Sequence, residues 1–221
     1  MTKKERLSPI AIYGGTFDPI HFGHLRPTLE ICQYLKLNQV RFIPSYIPPH
    51  RQAPNSSVND RLLMLEQAIH SEPRFVLDNR EILRQGHSYT IDTLLSLKKE
   101  FPQHPLYLIL GLDAFIHINT WHKWEQLLWY CHLIISRRPE THHDQISSWP
   151  ISIQELYQNN KVDNPQQLST KLAGYIYFME VTQLPISSSQ IRDYIKNNQS
   201  IRYLLPDEVC AIIKSKQLYS I

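Results

Sequence analysis

Residues 10–24 read IAIYGGTFDPIHFGH, and this stretch decides the fold. It opens with an apolar run of strand length that ends at the pair Gly14 and Gly15, and from residue 24 to residue 37 the apolar positions recur at helical spacing. A strand that passes into a helix through a short glycine-containing loop is typical of parallel α/β proteins. Because ligands of open α/β sheets bind at the carboxyl ends of strands, the loop is predicted to form a ligand site.

The same alternation of strands and helices continues along the chain. Apolar runs predict strands at 40–44, 75–77, 106–110, 132–136 and 175–179, and helical periodicity predicts helices at 60–69 (capped near Asn59), 90–101, 124–130, 188–196 and 206–214. Residues 140–170 are polar and weakly patterned, so their structure is left open. We therefore predict an α/β fold, with a Rossmann-like parallel sheet flanked by helices and a small C-terminal helical portion. Residues 1–221 are expected to form a single domain, with the α/β core at 9–183 and the helical portion at 184–221.

Composition excludes several classes of protein. The chain has 221 residues, 42% of them hydrophobic and 19% charged, as in an ordinary globular protein. The net charge of +3 is too small to indicate nucleic-acid binding, and no apolar run approaches the ~20 residues of a membrane helix. The N-terminal residues do not resemble a signal peptide, and the three cysteines form no CxxC pair. We therefore expect a cytoplasmic protein with no membrane partner. The sequence does not fix the oligomeric state, and a homo-oligomer is one of the options.

The loop after the first predicted strand carries residues suited to phosphate chemistry. Gly14 and Gly15 let a ligand approach the backbone, and the N–H groups at the start of the following helix can bind phosphate oxygens. His21 and His24 are three residues apart and can donate hydrogen bonds to a pentavalent phosphoryl centre. Two alternatives stay open here: a tight turn with capping histidines, or a zinc site that uses both rings. The loop matches neither GxxxxGKS/T nor GxGxxG.

Two short motifs lie near opposite ends of the chain. Residues 21–24 (HFGH) match an H/T-x-G-H signature, and residues 186–192 (ISSSQIR) are close to ISxTxxR. The chain thus resembles the nucleotidyltransferase superfamily, in which both signatures occur in this order. The resemblance implies the fold of that superfamily. The match narrows to the bacterial nicotinate-nucleotide adenylyltransferases over roughly residues 10–219, through the blocks GGTFDP (14–19), IPPHR (47–51), SYT (88–90), GLD (111–113), TW (120–121) and SRRP (136–139).

This resemblance implies a reaction and a set of residues that perform it. The reaction would condense nicotinate mononucleotide with ATP to give deamido-NAD and pyrophosphate, with Mg²⁺ arriving on ATP and no metal ligand from the protein. The implied catalytic residues are His21, His24 and Arg192. The implied ATP-binding residues are Gly14, Gly15, Thr16, Phe17, His21, His24, Gly111, Asp113, Ser187, Ser189 and Arg192, of which Asp113 would contact the ribose region. The implied nicotinate mononucleotide-binding residues are His50, Tyr89, Thr90, Trp121 and Arg138, with Trp121 stacked on the pyridine ring.

Two positions depart from the family pattern, and three other functions stay open. Ser45 and His122 stand where related enzymes often carry Asn and an aromatic residue, which leaves individual pocket contacts in doubt. The first alternative is an adenylyltransferase that uses nicotinamide mononucleotide or phosphopantetheine. The second is a class I aminoacyl-tRNA synthetase fragment, which the absence of a KMSKS-like segment disfavours. The third is a nucleotide sensor without turnover, which the intact signatures disfavour.

Overall fold

The computed structural model describes residues 7–49, 53–137 and 143–220. In these residues the chain forms one seven-stranded sheet in which all pairs are parallel, in the order β3-β2-β1-β4-β5-β7-β6. The strands are β1 (Ile10–Gly15), β2 (Val40–Pro44), β3 (Phe75–Leu77), β4 (Leu106–Gly111), β5 (His132–Arg137), β6 (Lys161–Val162) and β7 (Ile176–Glu180). The predicted α/β fold with a parallel sheet is confirmed.

Helices cover both faces of the sheet. They are α1 (Phe22–Tyr34), α2 (Val58–Ile69), α3 (Arg80–Arg84), α4 (Thr90–Glu100), α5 (Leu112–Ile116), α6 (Leu127–Tyr130), α7 (Ile151–Asn160), α8 (Ser188–Lys196) and α9 (Asp207–Ser215). Two apolar cores result because successive side chains of a strand point to opposite faces. Ile10 and Ile12 of β1 belong to one core, and Ala11 between them belongs to the other. Burial on both faces explains why the strands read as continuous apolar runs.

The strand order fixes where a ligand can bind. β1 pairs with β2 on one side and with β4 on the other, so the chain proceeds outward in opposite directions from β1 and β4. At such a switch point the loops that follow the two central strands diverge and leave a crevice at their carboxyl ends. Gly14 and Gly15 end β1 and Gly111 ends β4, so both glycine sites predicted from the sequence border this crevice.

Most element boundaries agree with the sequence prediction to within one residue, and three helices need correction. α1 spans Phe22–Tyr34, whereas helical spacing was predicted from residue 24 to residue 37. β2, β3 and α8 have the predicted bounds. α2 begins at Val58 rather than at residue 60, because the Ser57 hydroxyl, and not Asn59, accepts the cap hydrogen bond from Asp60 N at 3.1 Å. The predicted helix at 124–130 is a 3₁₀ turn, Trp124–Gln126, followed by the short helix α6.

The weakly patterned segment also contains regular structure. α7 lies in it, and β6 extends the sheet beyond β7. α7 has only two buried positions, Ile153 and Tyr157, so its apolar face was too narrow to register in the sequence. The three cysteines are buried free thiols. Among the helices of the described ranges, none has the length and apolar character needed to cross a membrane.

Candidate active site

The loop after β1 is shaped by two glycines and a buried ring. Phe17 has a left-handed φ of +50° and is 2% exposed, with its ring 5.9 Å from those of Tyr13 and Phe42. A Cβ on Gly15 would lie 2.9 Å from the Phe17 ring, so only glycine fits there. A Cβ on Gly14 would meet nothing closer than a carbonyl oxygen at 4.0 Å, and so would extend into the crevice.

A buried carboxylate holds this loop in place. Asp18 is 3% exposed and accepts hydrogen bonds from Asn55 N (2.6 Å), from both the N–H and the hydroxyl of Ser56, and from the Tyr219 hydroxyl (2.7 Å). Burial and the adjacent carboxylate raise the pKa of Tyr219, so its hydroxyl keeps its proton and donates. Sequence reasoning gave Asp18 no role, because its partners come from distant parts of the chain.

The two sequence motifs meet at this loop. The Arg192 guanidinium on α8 donates from Nη1 to the Asp18 carbonyl at 2.6 Å, and the Ser188 hydroxyl donates to the Pro19 carbonyl at 2.9 Å. A Cβ on Gly23 would lie 3.0 Å from the Ile186 carbonyl oxygen and 2.9 Å from His21 Nδ1. The second motif is therefore packed directly against the first.

The two histidine rings of the first motif lie in contact, tilted by 32°, at the start of α1. His21 is the N-cap residue and is 4% exposed, and its ring centroid lies 3.7 Å from that of His24. Burial lowers the pKa of His21 to about 4, so this ring is neutral at pH 7. The Phe17 ring lies 5.3 Å from His24 in an edge-on arrangement. The pair thus borders the loop after β1 and presents imidazole groups beside the helix N-terminus.

The start of α8 supplies a second set of polar groups. Ser187 is its N-cap residue, and the hydroxyl accepts from Gln190 N at 3.2 Å and lies 3.1 Å from the Ser189 hydroxyl. Both serines are exposed. The cap leaves hydroxyl and N–H groups at this helix end available for an anion.

The predicted acceptor residues lie beside a different loop. Tyr89 is the N-cap residue of α4, which begins at Thr90, and its ring lies 4.4 Å from that of His122 at an angle of 38°. The imidazole of His122 therefore packs against the Tyr89 ring, a position that a larger aromatic side chain could also occupy. Trp121 is half-buried against the second apolar core. His50 and Arg138 lie outside the described residues.

The loop after β2 is tied to the segment that leads into Tyr89. Ser88 N donates to the Ile47 carbonyl at 2.9 Å, and Tyr46 N donates to the Ser88 hydroxyl at 2.8 Å. Beneath them Glu81 is 8% exposed, and its carboxylate is bonded by the hydroxyls of Thr93 and Ser88. Burial raises the pKa of Glu81. This support was not predicted from the sequence, since Glu81 lies in a short helix without a recognisable motif.

The remaining predicted ATP-binding residues, and Ser45, which departs from the family pattern, lie beside the crevice. A Cβ on Gly111 would meet nothing within 4 Å, and Asp113 follows on α5, exposed in its first turn. Ser45 is buried at the end of β2, where its N–H donates to the Gly15 carbonyl at 2.9 Å. In the described part of the chain, no three His, Cys, Asp or Glu side chains are placed to hold a metal ion together. The zinc alternative therefore has no support from these residues.

Comparison with known proteins defines the class first. Residues 12–194 match the family model described as cytidylyltransferase-like. The parallel sheet, with the motifs at residues 21–24 and 186–192 in contact, agrees with this match. The protein is thus a nucleotidyltransferase. The chain is 43% identical over 212 residues to the probable nicotinate-nucleotide adenylyltransferase of Methylococcus capsulatus, over 96% of this chain and 99% of that one. It is 39% identical to the enzyme of the same name from Aeromonas salmonicida, over 96% and 97% of the two chains. The chain belongs to the nicotinate-nucleotide adenylyltransferase family, as predicted.

Solved structures show the same fold. The Plasmodium falciparum nicotinic acid mononucleotide adenylyltransferase complexed with APC superposes with a TM-score of 0.70 at 20% identity, over 96% of this chain and 98% of that one. The same protein complexed with NaAD gives a TM-score of 0.68 at 19% identity, with the same coverage of each chain. At these identities the likeness establishes the fold alone.

Proposed function

We propose that the protein transfers the adenylyl group of ATP to nicotinate mononucleotide, forming deamido-NAD and pyrophosphate for NAD biosynthesis. The observation that carries this proposal is the convergence of the two motifs on one loop. Arg192 binds the Asp18 carbonyl, and Gly23 lies against Ile186, so both motifs border a single crevice at the switch point of the sheet. The family membership supplies the acceptor in this proposal.

The ATP phosphates bind, in this proposal, between the loop after β1 and the start of α8. The residues are Gly14, Gly15, Thr16, Phe17, His21, His24, Ser187, Ser189 and Arg192, with Gly111 and Asp113 on the nucleoside side. N–H groups of helix starts, hydroxyls and a guanidinium are the groups that bind phosphate oxygens in proteins. The neutral His21 ring carries one N–H, which can donate to a phosphate oxygen without adding a positive charge beside the His24 ring.

The reaction is an in-line displacement that needs no protein nucleophile. A 5′-phosphate oxygen of the mononucleotide forms a bond to the α-phosphorus of ATP, and the bond from that phosphorus to the bridging oxygen of the β-phosphate breaks. The attacking phosphate is already an anion, so no base has to remove a proton. The protein aligns the two substrates and donates hydrogen bonds to the charged oxygens. These two contributions account for most of the catalysis in such transfers.

Nicotinate mononucleotide is assigned to the side of Tyr89, Thr90 and Trp121, with His50 and Arg138. The hydroxyl of Thr90 and the N–H groups at the start of α4 are suited to the pyridine carboxylate, since a helix N-terminus favours an anion. Trp121 offers a flat apolar face to the pyridine ring. A neutral amide gains less from a helix N-terminus than a carboxylate, so this placement favours nicotinate over nicotinamide.

A divalent metal accompanies ATP in nucleotidyltransferases of this kind, and we propose Mg²⁺. Mg²⁺ keeps several water ligands and binds through phosphate oxygens, so it fits a site whose described residues offer hydroxyls and cations rather than a carboxylate cage. When bound, it would neutralise charge on the phosphates. We also propose that residues 1–221 act as one domain, with the core at 9–183 and the helical part at 184–221, and that the protein works in the cytoplasm.

Product analysis with purified protein tests this function. ATP and Mg²⁺ are supplied with nicotinate mononucleotide, nicotinamide mononucleotide or phosphopantetheine at equal concentration, and the dinucleotide and pyrophosphate are measured. We expect deamido-NAD to form fastest. Faster turnover of another acceptor would change the substrate, and nucleotide binding without any product would favour the sensor alternative.

A variant pair tests the motif. His24→Ala should lower kcat by about 10²–10³-fold, the range for a lost transition-state hydrogen bond. His104→Ala is the matched control. His104 precedes β4, at the amino ends of the strands and so away from the crevice, and its Nδ1 is hydrogen-bonded to the Ser8 carbonyl at 2.8 Å. A His24→Ala enzyme within about threefold of wild type would contradict the role given to this histidine.

A further inference from the structure

A buried arginine lies beneath the loop that is proposed to bind ATP. Arg61 on α2 is 0% exposed, and its Nη1 donates to the Thr16 carbonyl at 2.9 Å. Its Nε and Nη2 have no hydrogen-bond partner among residues 7–49, 53–137 and 143–220. Burial lowers the pKa of Arg61, although the charge of Asp18 partly offsets this effect.

Fold stability does not explain this arginine. A buried guanidinium without a full set of hydrogen bonds is costly, because the loss of its hydration is not fully offset. Asp18 is the nearby opposite charge, and its carboxylate already accepts from the backbone and from Ser56 and Tyr219. Asp18 therefore keeps several donors without Arg61.

The bond from Arg61 sets the direction of one backbone N–H. In a trans peptide the carbonyl and the following N–H point in opposite directions. Because the Thr16 carbonyl is turned toward Arg61, the Phe17 N–H is turned away from it. Phe17 has a φ of +50° and its ring is buried, so this peptide is held from both sides. Within the described residues no acceptor receives the Phe17 N–H.

We propose that Arg61 is a positioning residue for ATP, whose hydrogen bond to the Thr16 carbonyl aims the Phe17 N–H at the triphosphate. The proposal rests on the proposed function. A backbone N–H fixed before the ligand arrives binds an anion without the cost of reorientation. The buried positive charge behind the loop adds a field that favours the triphosphate, because low-dielectric surroundings screen it weakly.

Three changes test this role. Arg61→Met removes the donor and the charge, and the Phe17 N–H is removed on its own when phenyllactic acid replaces Phe17, which turns the amide into an ester. Leu65→Val is the matched control, since Leu65 lies one turn further along α2 and is also 0% exposed. The measurements are the Kd of Mg·ATP by calorimetry, the KM of each substrate, and the thermal unfolding temperature.

We expect Arg61→Met and the ester each to weaken ATP binding by about 10-fold or more, the effect of losing a hydrogen bond to a charged group. The KM of nicotinate mononucleotide should stay near wild type. Combining the two changes should weaken ATP binding no further than Arg61→Met alone, because Arg61→Met already loses the aim of the same N–H. Leu65→Val should lower the unfolding temperature and leave the Kd of ATP unchanged.

Wild-type ATP affinity in the ester protein would overturn the proposal even if Arg61→Met does not fold. So would a loss of ATP affinity in Leu65→Val that matches its loss of stability. The failure of the proposed function has a separate signature: the wild-type enzyme forms no deamido-NAD, while calorimetry still reports how each variant binds ATP.

Discussion

Gly23 lies so close to Ile186 that a Cβ added to the glycine would sit 3.0 Å from the isoleucine carbonyl oxygen. The glycine belongs to the first motif and the isoleucine begins the second, so the side chain missing at residue 23 lets the two motifs touch. The same Cβ would lie 2.9 Å from Nδ1 of His21. The glycine of HFGH thus joins the histidine pair to the start of α8.

Replacing this glycine should separate the two motifs. Gly23→Ala forces the Ile186 backbone or the His21 ring to move, and overpacking of this kind costs about 1–3 kcal/mol of unfolding free energy. We expect kcat/KM to fall by about 100-fold, since displacement of a catalytic group by about 1 Å has that effect. Denaturant titration and steady-state kinetics measure both quantities. Wild-type kinetics in a folded Gly23→Ala protein would show that this contact is irrelevant to the site.

Gly111→Ala should behave differently. The added Cβ meets nothing within 4 Å, and the backbone of Gly111 is extended with a φ of −72°, so the fold should keep its unfolding temperature. If ATP lies over the ends of β1 and β4, the methyl group occupies part of its place, and the KM of ATP should rise by about 10-fold. Unchanged ATP kinetics would place the nucleotide elsewhere in the crevice.

Tyr219→Phe tests the support beneath the loop. The change removes the hydroxyl that donates to Asp18 at 2.7 Å and lies 3.2 Å from the Ser56 hydroxyl. Removing a donor to a buried carboxylate should lower the unfolding free energy by about 1–3 kcal/mol. Tyr203→Phe is the control, because Tyr203 is 87% exposed and the loss of its hydroxyl should leave the free energy unchanged. Equal unfolding free energies of the two variants would show that the hydrogen bond from Tyr219 to Asp18 does not stabilise the fold.

Two buried histidines predict a loss of stability in acid. Burial lowers the pKa of both His21 and His132 to about 4, and His132 Nδ1 accepts a hydrogen bond from Tyr175 N at 3.0 Å. In the unfolded chain these rings take up protons near pH 6.5, whereas the folded protein keeps them neutral down to about pH 4. The unfolding free energy should therefore decrease as the pH falls from about 6.5 to about 4, by up to about 3 kcal/mol for each ring.

Urea titrations between pH 4 and pH 8 measure this dependence. The variant His132→Gln removes one titrating ring, so the curve of unfolding free energy against pH should become shallower by about half. A slope equal to that of wild type would mean that His132 is not kept neutral by its surroundings.

Glu81 offers a test on the acceptor side. Glu81→Ala removes the acceptor of the Ser88 and Thr93 hydroxyls and frees the segment that leads into Tyr89. We expect the KM of nicotinate mononucleotide to rise by about 10-fold, with a smaller change in the KM of ATP. Glu81→Gln retains an oxygen that both hydroxyls can bond, and should stay near wild type. Equal effects on the two substrates would indicate a general loss of structure rather than a local one.

Sequence patterns predicted the elements whose signal is local. β2 and β3 were located to the residue, because each is a short, mostly apolar run bounded by polar residues. α7 was missed because only Ile153 and Tyr157 of its ten residues are fully buried. β6 was missed because it has two residues, too few for any pattern.

The same limit applies to the site. The glycines and histidines of residues 14–24 were found because their spacing is characteristic within one short stretch. Arg61, Glu81 and Tyr219 have no such signal, since each matters only through a partner that the fold brings to it. Tyr219 and Asp18 are 201 positions apart in the chain, and nothing near either residue indicates the other.

The hydrogen bond between Tyr219 and Asp18 also has a consequence for synthesis of the protein. The last hydrogen-bond donor to Asp18 is made 201 residues after Asp18 itself, and must emerge from the ribosome before the loop after β1 is complete. Contacts between such distant residues form late in folding because a long loop has to close first. A nascent chain that already carries both motifs would thus still lack part of the support for its ATP loop, and catalytic competence would come only after Tyr219 has been synthesised.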